Sequence, residues 1–264
     1  MSFPPPLTTS TKDQVENPIL FIFLGASNLA RSLDGLKLCI KRCMLPRAVS
    51  FLHAIGPGRG YVSRGGILNA VYSPILDSGI FEAVRRKRIK NQTVVALITD
   101  IGNDIMYDAS PDVIIGGLQH LYNLLDAFET NIFITSIPVD LESDISELYF
   151  HILRKVYFPN SPVTYSQASN NIKAINQFIL QPSNQRISVI DDMKSFYGID
   201  KIHYSILKSQ IAWSHIARKL TASFDISLSP ELKTSEIALS MMNNISRILL
   251  TDMLGIRKKT NETF

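Results

Sequence analysis

The first residue that could do chemistry is Ser27, which lies in GASNLA directly after the apolar run ILFIFLG. This spacing places it at the turn between a predicted strand and a predicted helix. Free N–H groups and the positive end of a helix dipole at such a turn favour a developing oxyanion. Ser27 is therefore a candidate nucleophile, although a serine in this position, taken alone, is more often a helix cap.

The second segment with chemical potential is TDIGNDIMYD, which places Gly102, Asn103 and Asp104 at the carboxyl end of another predicted strand. The side-chain amide of Asn103 could donate to an oxyanion, and the neighbouring glycine lets the backbone approach closely. An ordinary Asn and Asp turn after a strand is the alternative if this segment is taken alone.

The third segment, GIDKIHYS, places Asp200 and His203 at the predicted start of the last core helix. This spacing lets a carboxylate orient an imidazole on the next turn and fix its tautomer, as a general base requires. An Asp cap and a surface His are the alternative. The other histidines fall within strand or helix patterns and are interpreted as mostly structural: His53, His120, His151 and His215.

A glycine-rich loop, IGPGRGYVSRGG, follows the second predicted strand and exposes backbone N–H groups. It lacks the spacing and the lysine of a P-loop, and it does not open a helix as a dinucleotide fingerprint does. Arg59 or Arg64 could contact a carboxylate or phosphate, although an exposed loop arginine usually has no such role. The loop contains five glycines, Gly56, Gly58, Gly60, Gly65 and Gly66.

The elements that must position these residues follow from the hydrophobic pattern. Five apolar runs of strand length, ILFIFLG, AVSFLHA, TVVALITD, NIFITSIP and RISVID, alternate with amphipathic segments of helix length. Such alternation predicts an α/β fold with a five-stranded parallel sheet covered by helices on both faces. Sites in such folds form beyond the carboxyl ends of the strands, where the three segments are expected to meet.

Four short blocks, GASNL, IGPGRG, GND and DKIH, occur in this order and resemble the four blocks of the SGNH, or GDSL-type, hydrolases. The resemblance implies that Ser27 is the nucleophile and that His203 is the base, oriented by Asp200. It also implies an oxyanion hole formed by the N–H groups of Ser27 and Gly58 together with the amide of Asn103.

The resemblance spans residues 19 to about 222 and implies a flavodoxin-like three-layer α/β/α sandwich with strand order 2-1-3-4-5. Two positions depart from the family pattern. Ala26 stands where an aspartate usually precedes the serine, and Ile101 stands where many members have a glycine. In the glycine block, Gly60 could take the position assigned to Gly58 if the loop is one turn longer.

The expected activity is hydrolysis of a small-molecule ester through an acyl-enzyme on Ser27, in the carboxylesterase or O-acetylesterase class. This chemistry needs no metal or organic cofactor. A serine acyltransferase of the same fold remains an alternative, because an alcohol could replace water as acceptor. A non-catalytic binding or scaffold protein is a further alternative, motivated by Ala26 and by the C-terminal extension.

The composition predicts one main domain, since 264 residues with 45% apolar and 19% charged residues suit a single folded core. We predict a loose arm over 1–17, the hydrolase domain over 18–224 and a helical extension over 225–264. The Met and Leu stripe of the extension could cover an edge of the domain or pair two copies into a homo-oligomer. The aromatic-rich segment 139–163 could form a lid or substrate wall, or pack as an ordinary insertion.

Charge and cysteine content argue against several other classes. The net charge of +4 is concentrated in RRKRIK, residues 85–90, which follows a predicted helix and lacks interleaved aromatics. A solvated helix end therefore explains it better than a nucleic-acid patch. Cys39 and Cys43 lack further zinc ligands. With no signal peptide or long apolar stretch in the sequence, we expect a cytoplasmic protein without membrane insertion.

Overall fold

The structure is a computed structural model that describes residues 18–67, 70–224, 231–256 and 260–264. The predicted arm over 1–17 lies outside the described residues. The strands are β1 (Ile19–Leu24), β2 (Val49–Ala54), β3 (Gly65–Ile67), β4 (Ala70–Tyr72), β5 (Thr93–Ile98), β6 (Asn131–Thr135) and β7 (Ile187–Ile190).

Five of these strands form one parallel sheet in the order β2-β1-β5-β6-β7. Each of the five apolar runs forms one of them, as predicted. The predicted order 2-1-3-4-5 is corrected to 2-1-5-6-7, because β3 and β4 pair as a separate antiparallel hairpin that begins at the end of the glycine-rich loop. These two strands have three residues each, too few for a hydrophobic pattern to reveal.

The α-helices are α1 (Ser27–Met44), α2 (Ile80–Lys87), α3 (Asn103–Met106), α4 (Pro111–Asp126), α5 (Leu141–Asp144), α6 (Glu147–Tyr157), α7 (Tyr165–Ile179), α8 (Ser209–Thr221) and α9 (Thr234–Arg247). Short 3-10 turns occur at Lys194–Phe196 and Ala222–Phe224. A π-helical turn, Ile248–Met253, follows α9.

The sheet is buried on both faces, which explains why its strands are continuous apolar runs. Successive side chains of β1 alternate between two cores. Phe21 and Phe23 pack in the core that includes α1 and α8, whereas Ile22 and Leu24 pack in the core that includes α2, α4 and α7. The chain therefore forms three layers, with helices on either side of the sheet.

The last core helix begins later than predicted. Helix α8 starts at Ser209, so Asp200 and His203 lie in the loop before it and not at a helix start. The Asp200 carboxylate accepts the backbone N–H groups of Ile202 and His203 in a local turn, and Lys201 adopts a left-handed φ of 56°, which interrupts a right-handed helix. Such local side-chain bonds compete with helix formation.

The helix predicted before RRKRIK is α2, which begins at Ile80, directly after Gly79 with its left-handed φ of 78°. Its last turn contains the exposed Arg85, Arg86 and Lys87, which agrees with a solvated helix end.

The C-terminal extension packs on its own chain through α9, which lies against α1. The Asp34 N–H donates to Asn244 Oδ1 at 3.4 Å, and the Arg247 guanidinium donates to the Ala30 carbonyl at 2.6 Å. Part of the Met stripe stays exposed, including Met242 at 67%. The extension therefore covers the helix that begins with Ser27.

The end of the extension lies along β2, the edge strand of the sheet. The His53 N–H donates to the Glu262 carbonyl at 2.8 Å, and the Phe264 N–H donates to the His53 carbonyl at 3.0 Å. These bonds form an isolated parallel β-bridge between His53 and Thr263 at the edge of the sheet. An edge that would otherwise present unpaired backbone groups is thereby partly covered.

Candidate active site

The turn that carries Ser27 is capped by a carboxylate from another strand. Asp100, just beyond β5, accepts hydrogen bonds from the Ala26 N–H at 3.0 Å and the Leu29 N–H at 3.3 Å. Ala26 occupies the N-cap position, and Ser27 is the first residue of α1. Asp100 satisfies these helix donors, so the half-buried Ser27 hydroxyl does not cap the helix. The alternative that Ser27 is only a helix cap is therefore not what the structure shows.

The imidazole of His203 is held by Asp200. His203 Nδ1 lies 2.8 Å from Asp200 Oδ2, and Oδ1 of the same carboxylate accepts the N–H groups of Ile202 and His203 at 3.1 and 3.0 Å. Burial acts to raise the pKa of Asp200, but the hydrogen bonds from His203 and Ile202 outweigh it and hold the pKa below its usual value. The carboxylate therefore stays charged and engages Nδ1, which leaves Nε2 for proton transfer.

Tyr157 is a contributor to this pair that the sequence analysis missed. Its hydroxyl donates to Asp200 Oδ2 at 3.3 Å, and its ring packs edge-on against the His203 ring with centroids 5.3 Å apart. Tyr157 ends α6, within the segment 139–163. Only the aromatic richness of that segment hinted at a role near the site.

Asn28, next to Ser27 in the chain, joins the nucleophile turn to the histidine loop. Its buried amide donates to Asp100 Oδ1 at 2.9 Å and to the Ile202 carbonyl at 3.0 Å, and it accepts the Tyr204 N–H at 2.8 Å. Ile202 and Tyr204 flank His203 on both sides. Asn28 therefore fixes the histidine segment against the helix start that carries the serine.

Two further groups that could donate a hydrogen bond, the Asn103 amide and the Gly58 N–H, border the same cavity as the serine. The Asn103 amide donates to the Arg59 carbonyl at 3.0 Å and has a second hydrogen for a ligand. Gly58 adopts a left-handed φ of 72°, and its carbonyl accepts the Tyr107 hydroxyl at 2.5 Å. The N–H groups of Ser27 and Gly58 make no hydrogen bond to any residue that the structure describes.

The two candidate glycines of the loop have different surroundings. Gly58 borders the cavity that contains the serine, whereas Gly60 is buried against Asp104, whose Oδ1 would lie 2.5 Å from a Cβ added there. The Asp104 carboxylate also accepts the N–H groups of Tyr61 and Ser63 at 2.6 and 2.8 Å. Burial raises the pKa of Asp104 despite these bonds. This carboxylate shapes the loop, and Gly58, not Gly60, is the glycine that shares the wide cavity with Ser27.

Arg59 binds its own chain and is not placed to bind a substrate. Its guanidinium is buried and donates to the carbonyls of Ser73 at 3.0 Å, Ile55 at 3.4 Å and Phe264 at 2.5 Å. Burial lowers the pKa of Arg59 to about 10. The sequence-based suggestion that Arg59 could contact a substrate carboxylate or phosphate is therefore wrong.

One wide cavity of about 830 Å³ brings all five predicted site residues together: Ser27, Gly58, Asn103, Asp200 and His203. A smaller cavity of about 130 Å³ adjoins it, and Ser27 and Asn103 border both. In the described part of the chain, the Ser27 hydroxyl and the His203 ring share the wide cavity without a hydrogen bond between them. Catalytic hydrogen bonds are often long before a substrate binds.

The acidic groups near the site bind N–H donors. Among the described residues, no group of three or more His, Cys, Asp or Glu side chains is arranged to hold a metal ion. In the same ranges, no helix is both long enough and apolar enough to cross a membrane.

Comparisons with known proteins leave the family open. No protein-family model matches the chain, and no curated protein matches it. A crystal structure without a stated function superposes with a TM-score of 0.49 at 12% identity, covering 78% of this chain and 98% of its own. A structure from Streptococcus pneumonia, described as a candidate platelet activating factor, gives a TM-score of 0.44 at 15% identity, covering 78% of this chain and 84% of its own. At these scores neither likeness identifies a family or a function.

Proposed function

We propose that the chain is an SGNH-type serine hydrolase that acts on carboxylic esters of small molecules. The observation that carries the proposal is the convergence of Ser27, Gly58, Asn103, Asp200 and His203 on one cavity, although they come from four separate segments. The order of the four sequence blocks supports the proposal, and so does the architecture of one parallel sheet between two layers of helices, which suits a flavodoxin-like fold. Each block is common by itself, so their meeting in space is the stronger support.

The mechanism assigns each group one task. His203 takes the proton of the Ser27 hydroxyl as the serine oxygen attacks the ester carbonyl, and Asp200 stabilises the imidazolium that forms. The N–H groups of Ser27 and Gly58 and the amide of Asn103 hold the oxyanion. His203 then gives its proton to the leaving alkoxide. Water attacks the acyl group on Ser27, His203 takes the proton of that water and returns it to the serine oxygen, and the acid leaves.

The departure at Ala26 does not weaken this proposal. The start of α1 has a carboxylate partner, because Asp100, just beyond β5, binds the N–H groups of Ala26 and Leu29. A scaffold protein without catalysis would not need a histidine oriented by a charged carboxylate beside a serine that does not cap its helix. The retained pair therefore favours an enzyme over a binding protein.

Product analysis tests hydrolysis directly. We expect the purified chain to convert p-nitrophenyl butyrate to equal amounts of p-nitrophenol and butyrate, because water is the acceptor. Addition of glycerol should leave free butyrate as the main product. A Ser27→Ala preparation, purified in the same way, controls for contaminating esterases. Preferential formation of a glycerol ester would instead establish an acyltransferase, and no turnover would contradict both enzymatic assignments.

The cytoplasmic location and the pairing of two copies through the C-terminal extension stay predictions. Size-exclusion chromatography with light scattering measures the molar mass and so tests whether two copies pair.

A further inference from the structure

The small cavity beside Ser27 has walls that are mainly apolar. It is bordered by α5 and α6, which the segment 139–163 contributes, by α3 and α7, and by the loops that follow β5 and β6. Its apolar lining includes these buried or partly buried side chains: Ile105, Ile137, Leu141, Phe150, Ala168 and Ile172. The segment that could be a lid or a wall from its sequence is therefore the wall of a pocket next to the nucleophile.

We infer that this cavity binds the acyl chain of the substrate, and that the preferred chain has about six carbons. The inference rests on the proposed function and adds the substrate class to it. It favours medium-chain acyl esters over the acetyl esters that the sequence analysis included.

The position of the base determines which half of the ester enters the small cavity. His203 must give its proton to the leaving alkoxide, so the alcohol half lies on the histidine side of Ser27. His203 borders the wide cavity of about 830 Å³, together with exposed loop residues such as Ile206. The acyl half then extends to the other side of the serine, into the cavity of about 130 Å³.

The volume of the cavity sets the length of the chain. An engineered apolar protein cavity of about 150 Å³ admits benzene, a molecule with six carbons. The cavity here, of about 130 Å³, is comparable in size. Aliphatic and aromatic side chains line most of it, and Asp100, Arg154 and Lys201 also border it. An acetyl group leaves most of this space empty, whereas a long fatty chain exceeds it unless Leu141 or Phe150 moves.

A series of p-nitrophenyl esters measures the preference. From acetate through butyrate to hexanoate, kcat/KM should rise by roughly fourfold for each added methylene, because each one enters an apolar pocket. It should fall again between octanoate and dodecanoate. The same leaving group throughout keeps the chemical step comparable.

Two variants on α7 change the cavity in opposite directions. Ala168→Leu fills it and should lower kcat/KM for hexanoate by roughly tenfold or more while acetate changes little. Ile172→Ala enlarges it and should move the preferred ester from hexanoate toward octanoate. Ile175→Val is the control, because Ile175 is buried on the same helix in the core and should leave the order of preference unchanged.

The outcomes separate this inference from the proposed function. A fluorophosphonate probe reports the reactive serine independently of chain length, so it also shows that each variant is folded. A chain that reacts with the probe but hydrolyses acetate best, or whose preference Ala168→Leu and Ile172→Ala leave unchanged, contradicts the acyl pocket alone. A chain that neither reacts with the probe nor hydrolyses any ester contradicts the proposed function and the pocket with it.

Discussion

Replacing Ser27 or His203 with alanine lowers kcat/KM for ester hydrolysis by roughly 10⁵-fold to 10⁶-fold, and the double variant is no slower than either single one. Without the serine oxygen no acyl-enzyme forms. Without the imidazole the hydroxyl keeps its proton and is a weak nucleophile. The two losses do not add, because the residues act as one unit. The residual rate comes from substrate binding and the oxyanion donors.

The chain contains matched controls for both substitutions. Ser32→Ala changes a serine on the same helix, outside the two cavities that Ser27 borders. His215→Ala removes a histidine that also pairs with an aspartate, since its Nε2 lies 3.0 Å from Asp192 Oδ2. Both controls should keep at least about half of the wild-type rate. If His215→Ala lowered kcat/KM as much as His203→Ala, the loss would reflect damage to the fold and would not show that His203 is the base for Ser27.

Replacing Asp200 with asparagine lowers kcat/KM by roughly 10⁴-fold while the chain stays folded. The amide could hydrogen-bond the ring but would favour the wrong tautomer and would not stabilise the imidazolium. Asp192→Asn, which changes the carboxylate beside His215, is the control. A rate of Asp200→Asn within about tenfold of the wild type would contradict the orienting role of Asp200.

The lowered pKa of Asp200 in the wild-type chain predicts how the rate loss in Asp200→Asn depends on pH. Its folded pKa lies below the unfolded value of about 3.9, so the carboxylate contributes stability above that pH and loses it as the pH falls through the folded pKa. In a neutral assay Asp200 is charged throughout. The loss in Asp200→Asn should therefore persist between about pH 6 and pH 8 and should not be recovered by raising the pH within that range.

The sheet could be predicted because burial on both faces leaves a direct trace in the sequence. Each strand of the sheet is a continuous apolar run, as in ILFIFL for β1, and the amphipathic segments between them gave α1, α4 and α7. The carboxyl ends of parallel strands share one edge, so the segments with Ser27 and Asn103 were expected to meet. Short elements such as β3 and β4 have no comparable pattern.

The contacts that assemble the site could not be predicted, because they join residues far apart in the chain. Asn28 looks like a helix-cap residue in the sequence, yet it binds the backbone on both sides of His203, which follows it by 175 positions. Asp100 has a left-handed φ of 60°, a conformation that aspartate tolerates better than most residues. Tyr157 reaches Asp200 from a segment whose sequence shows only an excess of aromatics.

The most direct test is to locate the residue that a fluorophosphonate modifies in the folded chain, by peptide mapping with mass spectrometry. An activated serine reacts readily with such a probe, whereas an ordinary hydroxyl does not. We predict one adduct, on the peptide that contains Ser27, and its loss in His203→Ala and in the unfolded chain. An adduct on another serine, or an unmodified Ser27 in the folded protein, would contradict the account.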